Sequence, residues 1–246
     1  MTKAAWQQWH DRPEVEGTLV ERARGTLGEM ESTKQLVDLI SDVWRPGMRV
    51  LDVGCNTGHY LRGLRRVAAD LDYTGVDAYA HYIDQAKEIY ADDPHARFAV
   101  RDIHQPLYPG ERFDIVYCCN VILHLPDFRT PMRNLVEATS NTLFVRTLLG
   151  RATTNVRRAM SPELDDEGVP VNFVYQNTWD RDVVSAFVRS LGCEVELIRD
   201  RFDPAVLASE HDSLKDGRGT GVIGGRQHDE VVLFDWEWLK ITPTGG

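Results

Sequence analysis

Four places in the chain put a glycine or polar residue where an apolar run ends, and each could do chemistry. The first is Val50-Leu51-Asp52-Val53-Gly54-Cys55-Asn56-Thr57-Gly58-His59-Tyr60. Glycines at 54 and 58 let the backbone turn tightly and bring main-chain amides, at the start of a helix, against an anion or carboxylate. The second is Asp77, which closes Tyr73-Thr74-Gly75-Val76 at an interval that suits an acid bonding both hydroxyls of a ribose. Taken alone it serves equally well as a helix N-cap. The third is Asp102, in Val100-Arg101-Asp102-Ile103, and a solvated turn aspartate is the competing reading there. The fourth runs from Phe113 to Cys119 and on through Asn120-Val121-Ile122-Leu123-His124-Leu125. His124 carries the side chain whose ordinary pKa is nearest neutrality, so it could take a proton from a substrate or simply hold its loop by hydrogen bonds.

Positioning these groups is the work of alternating elements. Leu36, Leu39, Ile40 and Val43 share one helical face, and Arg45-Pro46-Gly47 ends that helix. Arg49 to Val53 predicts a strand, and Leu61, Leu64, Val67 and Ala68 predict a helix over His59 to Ala69. Tyr73 to Val76 is a second strand, followed by a helix with Tyr82, Ile83, Ala86, Ile89 and Tyr90 on one face. Strands at Arg97 to Val100, Phe113 to Cys118 and Thr142 to Leu148 follow, with a helix from about Pro131 to Ala138 before the last of them. This alternation predicts an α/β fold, a mostly parallel sheet covered by helices on both faces. Further on come a polar stretch from Gly150 to Pro170, a helix with Val183, Val184, Phe187, Val188 and Leu191 on one face, and a strand from Glu194 to Ile198. Glycine-rich Asp203 to His228 reads as a long loop before the apolar run Val231 to Leu239.

The spacing of the first segment, Asp-x-Gly-x-x-x-Gly, is not the Gly-x-Gly-x-x-Gly of nicotinamide enzymes. Leu51-Asp52-Val53-Gly54-Cys55-Asn56-Thr57-Gly58 instead resembles the first motif of class I S-adenosylmethionine-dependent methyltransferases, small-molecule branch, and the other three segments follow in that family's order. The resemblance implies a Rossmann-like three-layer sandwich with a seven-stranded sheet, whose last, antiparallel strand is inserted beside the fifth. It implies S-adenosyl-L-methionine as cofactor, held by Asp52, Gly54, Cys55, Gly58 and Tyr60, by Asp77 and Ala78, by Asp102 and Ile103, and by Asn120 and Val121. Asp77 would accept from the ribose, Asp102 from the adenine amine, and Asn120 would offer a carbonyl to the cofactor's ammonium. His124, at the edge of the acceptor pocket, is the candidate catalytic base.

The acceptor is expected to be a small-molecule metabolite. Asn120-Val121-Ile122-Leu123 replaces the Asn-Pro-Pro-Tyr type of turn of the family's base-methylating members. The net charge of −10, from 38 acidic against 28 basic residues, argues against a surface for nucleic acid. No acidic ligand set suggests a metal, and Cys55, Cys118, Cys119 and Cys193 lack metal-ligand spacing, which leaves buried thiols as their reading. No apolar run is long enough for a membrane helix, and the opening MTKAAWQQWHDRPEVEG carries no signal, so a cytoplasmic protein is expected. A homodimer is compatible with this reading.

At 246 residues the chain suits one methyltransferase domain over 1–246, with an N-terminal cap at 1–45 and substrate-lid insertions at about 150–178 and 203–228. Trp6, Trp9, Tyr175 and Trp179 could roof the pocket or simply pack the lid onto the core. Glu210, His211, Asp212, Asp216, Asp229 and Glu230 could favour a cationic acceptor or form a solvated face, and His10, His211 and His228 are lesser candidates for a base. Two other classes compete. One is a protein that binds the same cofactor without turnover, or uses it for non-methylating chemistry. The other is a nicotinamide-dependent oxidoreductase, which the missing glycine motif and the missing Tyr-x-x-x-Lys pair disfavour.

Overall fold

The structure, a computed structural model, describes residues 13–203, 220–223, 226–229 and 232–245. Two helices, α1 (Pro13–Arg24) and α2 (Glu31–Val43), precede the first strand. The central elements follow as β1 (Arg49–Val53), α3 (Leu61–Leu64), β2 (Asp72–Asp77), α4 (Ala80–Ile89), β3 (Ala96–Val100), β4 (Phe113–Cys119), α5 (Arg129–Glu137) and β5 (Thr139–Gly150). Then come a hairpin of β6 (Arg157–Ala159) and β7 (Phe173–Tyr175), the two-residue β8 (Trp179–Asp180), α6 (Arg181–Ser190) and β9 (Cys193–Arg199). A small antiparallel sheet of β10 (Thr220–Ile223), β11 (Arg226–Asp229) and β12 (Val232–Leu233) leads into β13 (Trp236–Pro243).

The main sheet has the order β3-β2-β1-β4-β5-β13-β9, with β8 pairing on β5. Strands β1 to β5 run parallel, whereas β13 is antiparallel to both β5 and β9. The Rossmann-like sheet and the late strand inserted beside the fifth are therefore as expected.

Strand periodicity explains why both faces need cover. On β4, Val116 and Cys118 join one core with Met132 and Leu135 of α5 and Val184 and Val188 of α6. Ile115, Tyr117 and Cys119 point the other way, into a core with Leu36 and Ile40 of α2 and Leu61 and Leu64 of α3. All four cysteines are buried.

Four local differences have physical causes. The predicted helix from His59 to Ala69 is one turn of α-helix, after which Arg66 and Val67 donate to Gly63 and Leu64 in tighter three-residue steps. Helix α1 falls within a stretch of polar residues and isolated aromatics that has no strong apolar face. The polar stretch after Gly150 contains the β6–β7 hairpin. The apolar run Val231 to Leu239 is not one strand: it is divided between β12 and β13 at Asp235, whose carbonyl accepts from Leu149 and whose carboxylate pairs with Arg226. Among the described residues, no helix is long and apolar enough to cross a membrane.

Candidate active site

A cavity of about 310 Å3 opens where β1 to β4 end. Its wall is built from residues at or just past each strand's end: Val53 and Gly54 at the end of β1, Asp77 and Ala78 at the end of β2, Asp102 and Ile103 past β3, and Cys119, Asn120 and Val121 at the end of β4. Tyr60 and His124 line it as well. Eight residues proposed from the sequence as ligand contacts, with His124, thus share one concavity at the carboxyl edge of a parallel sheet, where such folds bind ligands.

Asp52, Cys55 and Gly58 do not line the cavity, and the structure gives each of them another task. Asp52 is 1% exposed, and its Oδ2 accepts from the hydroxyls of Tyr73 at 2.7 Å and Tyr117 at 2.8 Å. Burial pushes its carboxyl up to about 7, and the two hydroxyl donors only partly oppose this. Cys55 is fully buried behind the turn. Gly58 has φ +76, and a Cβ there would stand 3.0 Å from ring carbons of both Phe98 and Tyr90. These three shape the turn from behind.

The turn also departs from the expectation that its amides face a ligand. Gly54 and Cys55 donate to the Val76 carbonyl at 2.8 and 3.0 Å, Asn56 to Asp77 Oδ2 at 2.9 Å, Thr57 to Asn56 Oδ1 at 2.7 Å, and Gly58 to the Cys55 carbonyl at 2.9 Å. Every amide from 54 to 58 is engaged inside the protein, so none of these five is offered to an anion. What Gly54 provides is close approach. Its φ is +80, and a Cβ would fall 2.2 Å from Cγ2 of Val121.

Asp77 receives Asn56 on Oδ2 and the Tyr79 amide on Oδ1, at 2.9 and 3.0 Å, so it caps the start of α4 while it lines the cavity. Burial raises its carboxyl to about 6, and backbone donors at Tyr79, Asn56 and Ala78 pull it back. Asp102 Oδ1 accepts from the His104 amide at 2.9 Å, and Asn134 Nδ2 holds the Ile103 carbonyl at 2.7 Å. The loop past β3 is thereby fixed from both sides.

His124 ends a single 3-10 turn, Ile122–His124. Its Nδ1 lies 2.8 Å from the Tyr175 carbonyl. A carbonyl only accepts, so Nδ1 carries the proton, and in the neutral ring Nε2 is the nitrogen with the lone pair. The rest of the turn is stapled by the following segment. Asn177, fully buried, donates from its amide to Leu123 and from Nδ2 to Leu125, both at 2.8 Å, and Trp179 Nε1 reaches the Ile122 carbonyl at 3.3 Å.

Tyr175 and Trp179 are not cavity residues. The Tyr175 ring packs edge-on against Phe173, and Trp179 is 4% exposed against Phe128. Trp6, Trp9, His10, Glu210, His211, Asp212, Asp216 and Glu230 lie outside the described residues, as does the side chain of Asp229. His228 sits on β11 and is not part of the wall.

Sequence reasoning passed over Asn56, His59, Tyr79 and Tyr82, all of which line the cavity. Asn56 has φ +51, and asparagine between two turn glycines was a usable signal for that conformation. His59 is 8% exposed, and its Nδ1 has no hydrogen-bond partner among the described residues. Burial, then the nearby Arg22, press it down to about 3, so it stands in the wall as a neutral ring.

The sequence is similar to those of known methyltransferases. Phosphoethanolamine N-methyltransferase 3 of Arabidopsis thaliana is 35% identical over 111 residues, covering 42% of this chain and 20% of that protein. The 2-methyl-6-phytyl-1,4-hydroquinone methyltransferase of Synechocystis is 27% identical over 199 residues, covering 79% of this chain and 51% of that protein. The chain thus spans about half or less of the length of these curated relatives. Among solved structures, the glycopeptide N-methyltransferase MtfA, complexed with S-adenosyl-L-methionine, superposes with a TM-score of 0.56 at 11% identity, over 86% of this chain and 93% of that one, a likeness of fold. Residues 27–166, more than half of the sequence, match the methyltransferase domain family, and the chain belongs to that family.

Proposed function

We propose that this protein is an S-adenosyl-L-methionine-dependent methyltransferase that transfers a methyl group to an oxygen or nitrogen atom of a small-molecule metabolite. The observation that carries this reading is the convergence of Gly54, Asp77, Asp102 and Asn120 on one cavity beside a glycine turn whose amides from 54 to 58 are already engaged. Two carboxylate acceptors beside a turn with five spent amides suit an adenosyl ligand without phosphates better than a nicotinamide dinucleotide. The family to which the chain belongs supports the same choice.

Bound there, the cofactor supplies a methyl group on a positively charged sulfur, open to in-line displacement by an acceptor. The chain's own part is to bind and aim. Asp77 would accept hydrogen bonds from the ribose hydroxyls and Asp102 from the adenine amine, with Ile103 as an apolar wall. Asn120 and Val121 floor the opposite end. His124 takes the acceptor's proton at Nε2, held in the right tautomer by the Tyr175 carbonyl. Residues 1–45 act as a cap, and 150–178 with 203–228 as the substrate-lid insertions of a single domain over 1–246. We place the protein in the cytoplasm, with no nucleic-acid, membrane or metal partner in the reaction. A homodimer is compatible with this function.

The test is transfer of isotope-labelled methyl from S-adenosyl-L-methionine to a panel of phenols, hydroquinones, amines and phosphorylated amines, with products resolved by mass spectrometry. A labelled methyl ether or methylamine is the expected product. Tight binding of the cofactor with no labelled product from any class would instead favour a binding protein without turnover.

A further inference from the structure

Behind the cavity floor lies a buried ion pair that none of the roles above uses. The side chains of Arg146 on β5 and Asp200 just past β9 are each 5% exposed, with Nε 2.6 Å from Oδ2. The guanidinium does not stop at its counter-ion. Its Nη1 donates to Asn120 Oδ1 at 2.6 Å, and its plane lies over the Trp236 ring, 4.0 Å from the centroid. Asp200 is fixed in turn by Trp238 Nε1 at 3.0 Å and by the Phe202 amide at 2.9 Å. Burying two ions is expensive and seldom improves on apolar packing, so a role beyond stability is the better account of this pair.

The group it aims is Asn120. That residue has φ +60, a left-handed conformation that asparagine enters more readily than other L side chains, and its amide donates to the Arg146 carbonyl at 3.0 Å. The turn swings the chain out of β4 so that Val121 lies on Gly54, and Asn120 itself lines the cavity. Sheet order fixes which end of the cavity this is. Asp77 and Asp102 follow β2 and β3, on one side of β1, while Asn120 follows β4, on the other.

We propose that Arg146 is a positioning residue for the amino-acid portion of an adenosyl ligand, acting through Asn120. The inference rests on the adenosyl reading of the cavity. A planar guanidinium can hold Asp200 and Asn120 at once, which a lysine ammonium on a flexible stem cannot.

The experiment is calorimetric titration of the full chain with S-adenosylhomocysteine and with 5′-methylthioadenosine, which shares the adenosine and lacks the amino acid. Arg146→Lys should weaken S-adenosylhomocysteine about tenfold, the loss of one charge-assisted hydrogen bond, and leave 5′-methylthioadenosine within about twofold. Asn120→Gly enters the left-handed region without strain and lacks the side chain that Arg146 holds, so adding Arg146→Lys to it should change nothing further. Asn120→Gly by itself leaves the Arg146–Asp200 pair intact, cuts the same link from the other side, and carries the test if Arg146→Lys does not fold. Unchanged S-adenosylhomocysteine affinity in these variants, or equal weakening of both ligands, would overturn the proposal while leaving the adenosyl reading in place. Wild-type protein that bound neither compound would remove that reading and this inference with it.

Discussion

Lowering the pH through about 6 should protonate Asp77 and weaken adenosyl binding, because only the carboxylate can accept from two ribose hydroxyls while it holds the Asn56 and Tyr79 amides. With the carboxyl at about 6, roughly one site in eleven is ionised at pH 5, so S-adenosylhomocysteine should bind about tenfold more weakly there than at pH 8, or on the order of 1.4 kcal/mol. Between pH 7 and 8 the affinity should be flat. The sign follows from the raised value. This carboxyl's contribution to the ligand-free fold is full below 3.8 and is lost as pH rises through about 6, and a ligand that prefers the carboxylate opposes that loss. Binding at pH 5 should accordingly release protons, which titration in two buffers of different ionisation heat will register. Asp77→Asn should bind roughly ten- to a hundredfold more weakly and show no dependence between pH 5 and 8. A flat wild-type profile in folded protein, or the same slope in Asp77→Asn, would refute the reasoning.

Three further substitutions separate shape, chemistry and stability. Gly54→Ala puts a Cβ at φ +80 and 2.2 Å from Val121, so it should lower the melting temperature and abolish S-adenosylhomocysteine binding; wild-type melting and binding would contradict the close-approach role. His124→Ala should cut turnover with the acceptor found in the methyl-transfer panel and leave S-adenosylhomocysteine affinity within about twofold, because removing one general base typically costs about a hundredfold or more in rate. A matching loss of affinity would make His124 structural. Asp52 contributes its full stability below 3.8 and loses it as pH rises through about 7, on the order of 4 kcal/mol at about 1.4 per pKa unit. Chemical denaturation from pH 5 to 8 should therefore show a falling stability in wild type and a shallower fall in Asp52→Asn, in which only the Asp77 part, complete by about pH 6, remains; parallel profiles would count against the buried carboxylate.

About half of the cavity wall could be read in the sequence because strand ends are marked by local chemistry. Gly54, Asp77, Asp102 and Asn120 each follow an apolar run, and parallel strands bring such residues to one edge whatever separates them in the chain. The motif marks the turn but cannot show which of its atoms face a ligand. Asp52 looked like a binding acid and is instead a buried acceptor for Tyr73 and Tyr117, a pairing that depends on β1 lying between β2 and β4. The support for His124 comes from Tyr175, Asn177 and Trp179, about fifty residues away, through backbone carbonyls that no side-chain pattern encodes. The Arg146 clamp was equally hidden. Its two partners lie 54 and 26 residues away: the β4–β5 register brings Asn120, and the insertion of β13 between β5 and β9 brings Asp200.

The most direct test of the central claim is side-by-side calorimetric titration of the full chain with S-adenosyl-L-methionine, S-adenosylhomocysteine, NADH and NADPH, which needs no knowledge of the acceptor. Binding of both adenosyl compounds at micromolar concentration, with no heat from either nicotinamide, is the predicted result. Binding of a nicotinamide alone would contradict it.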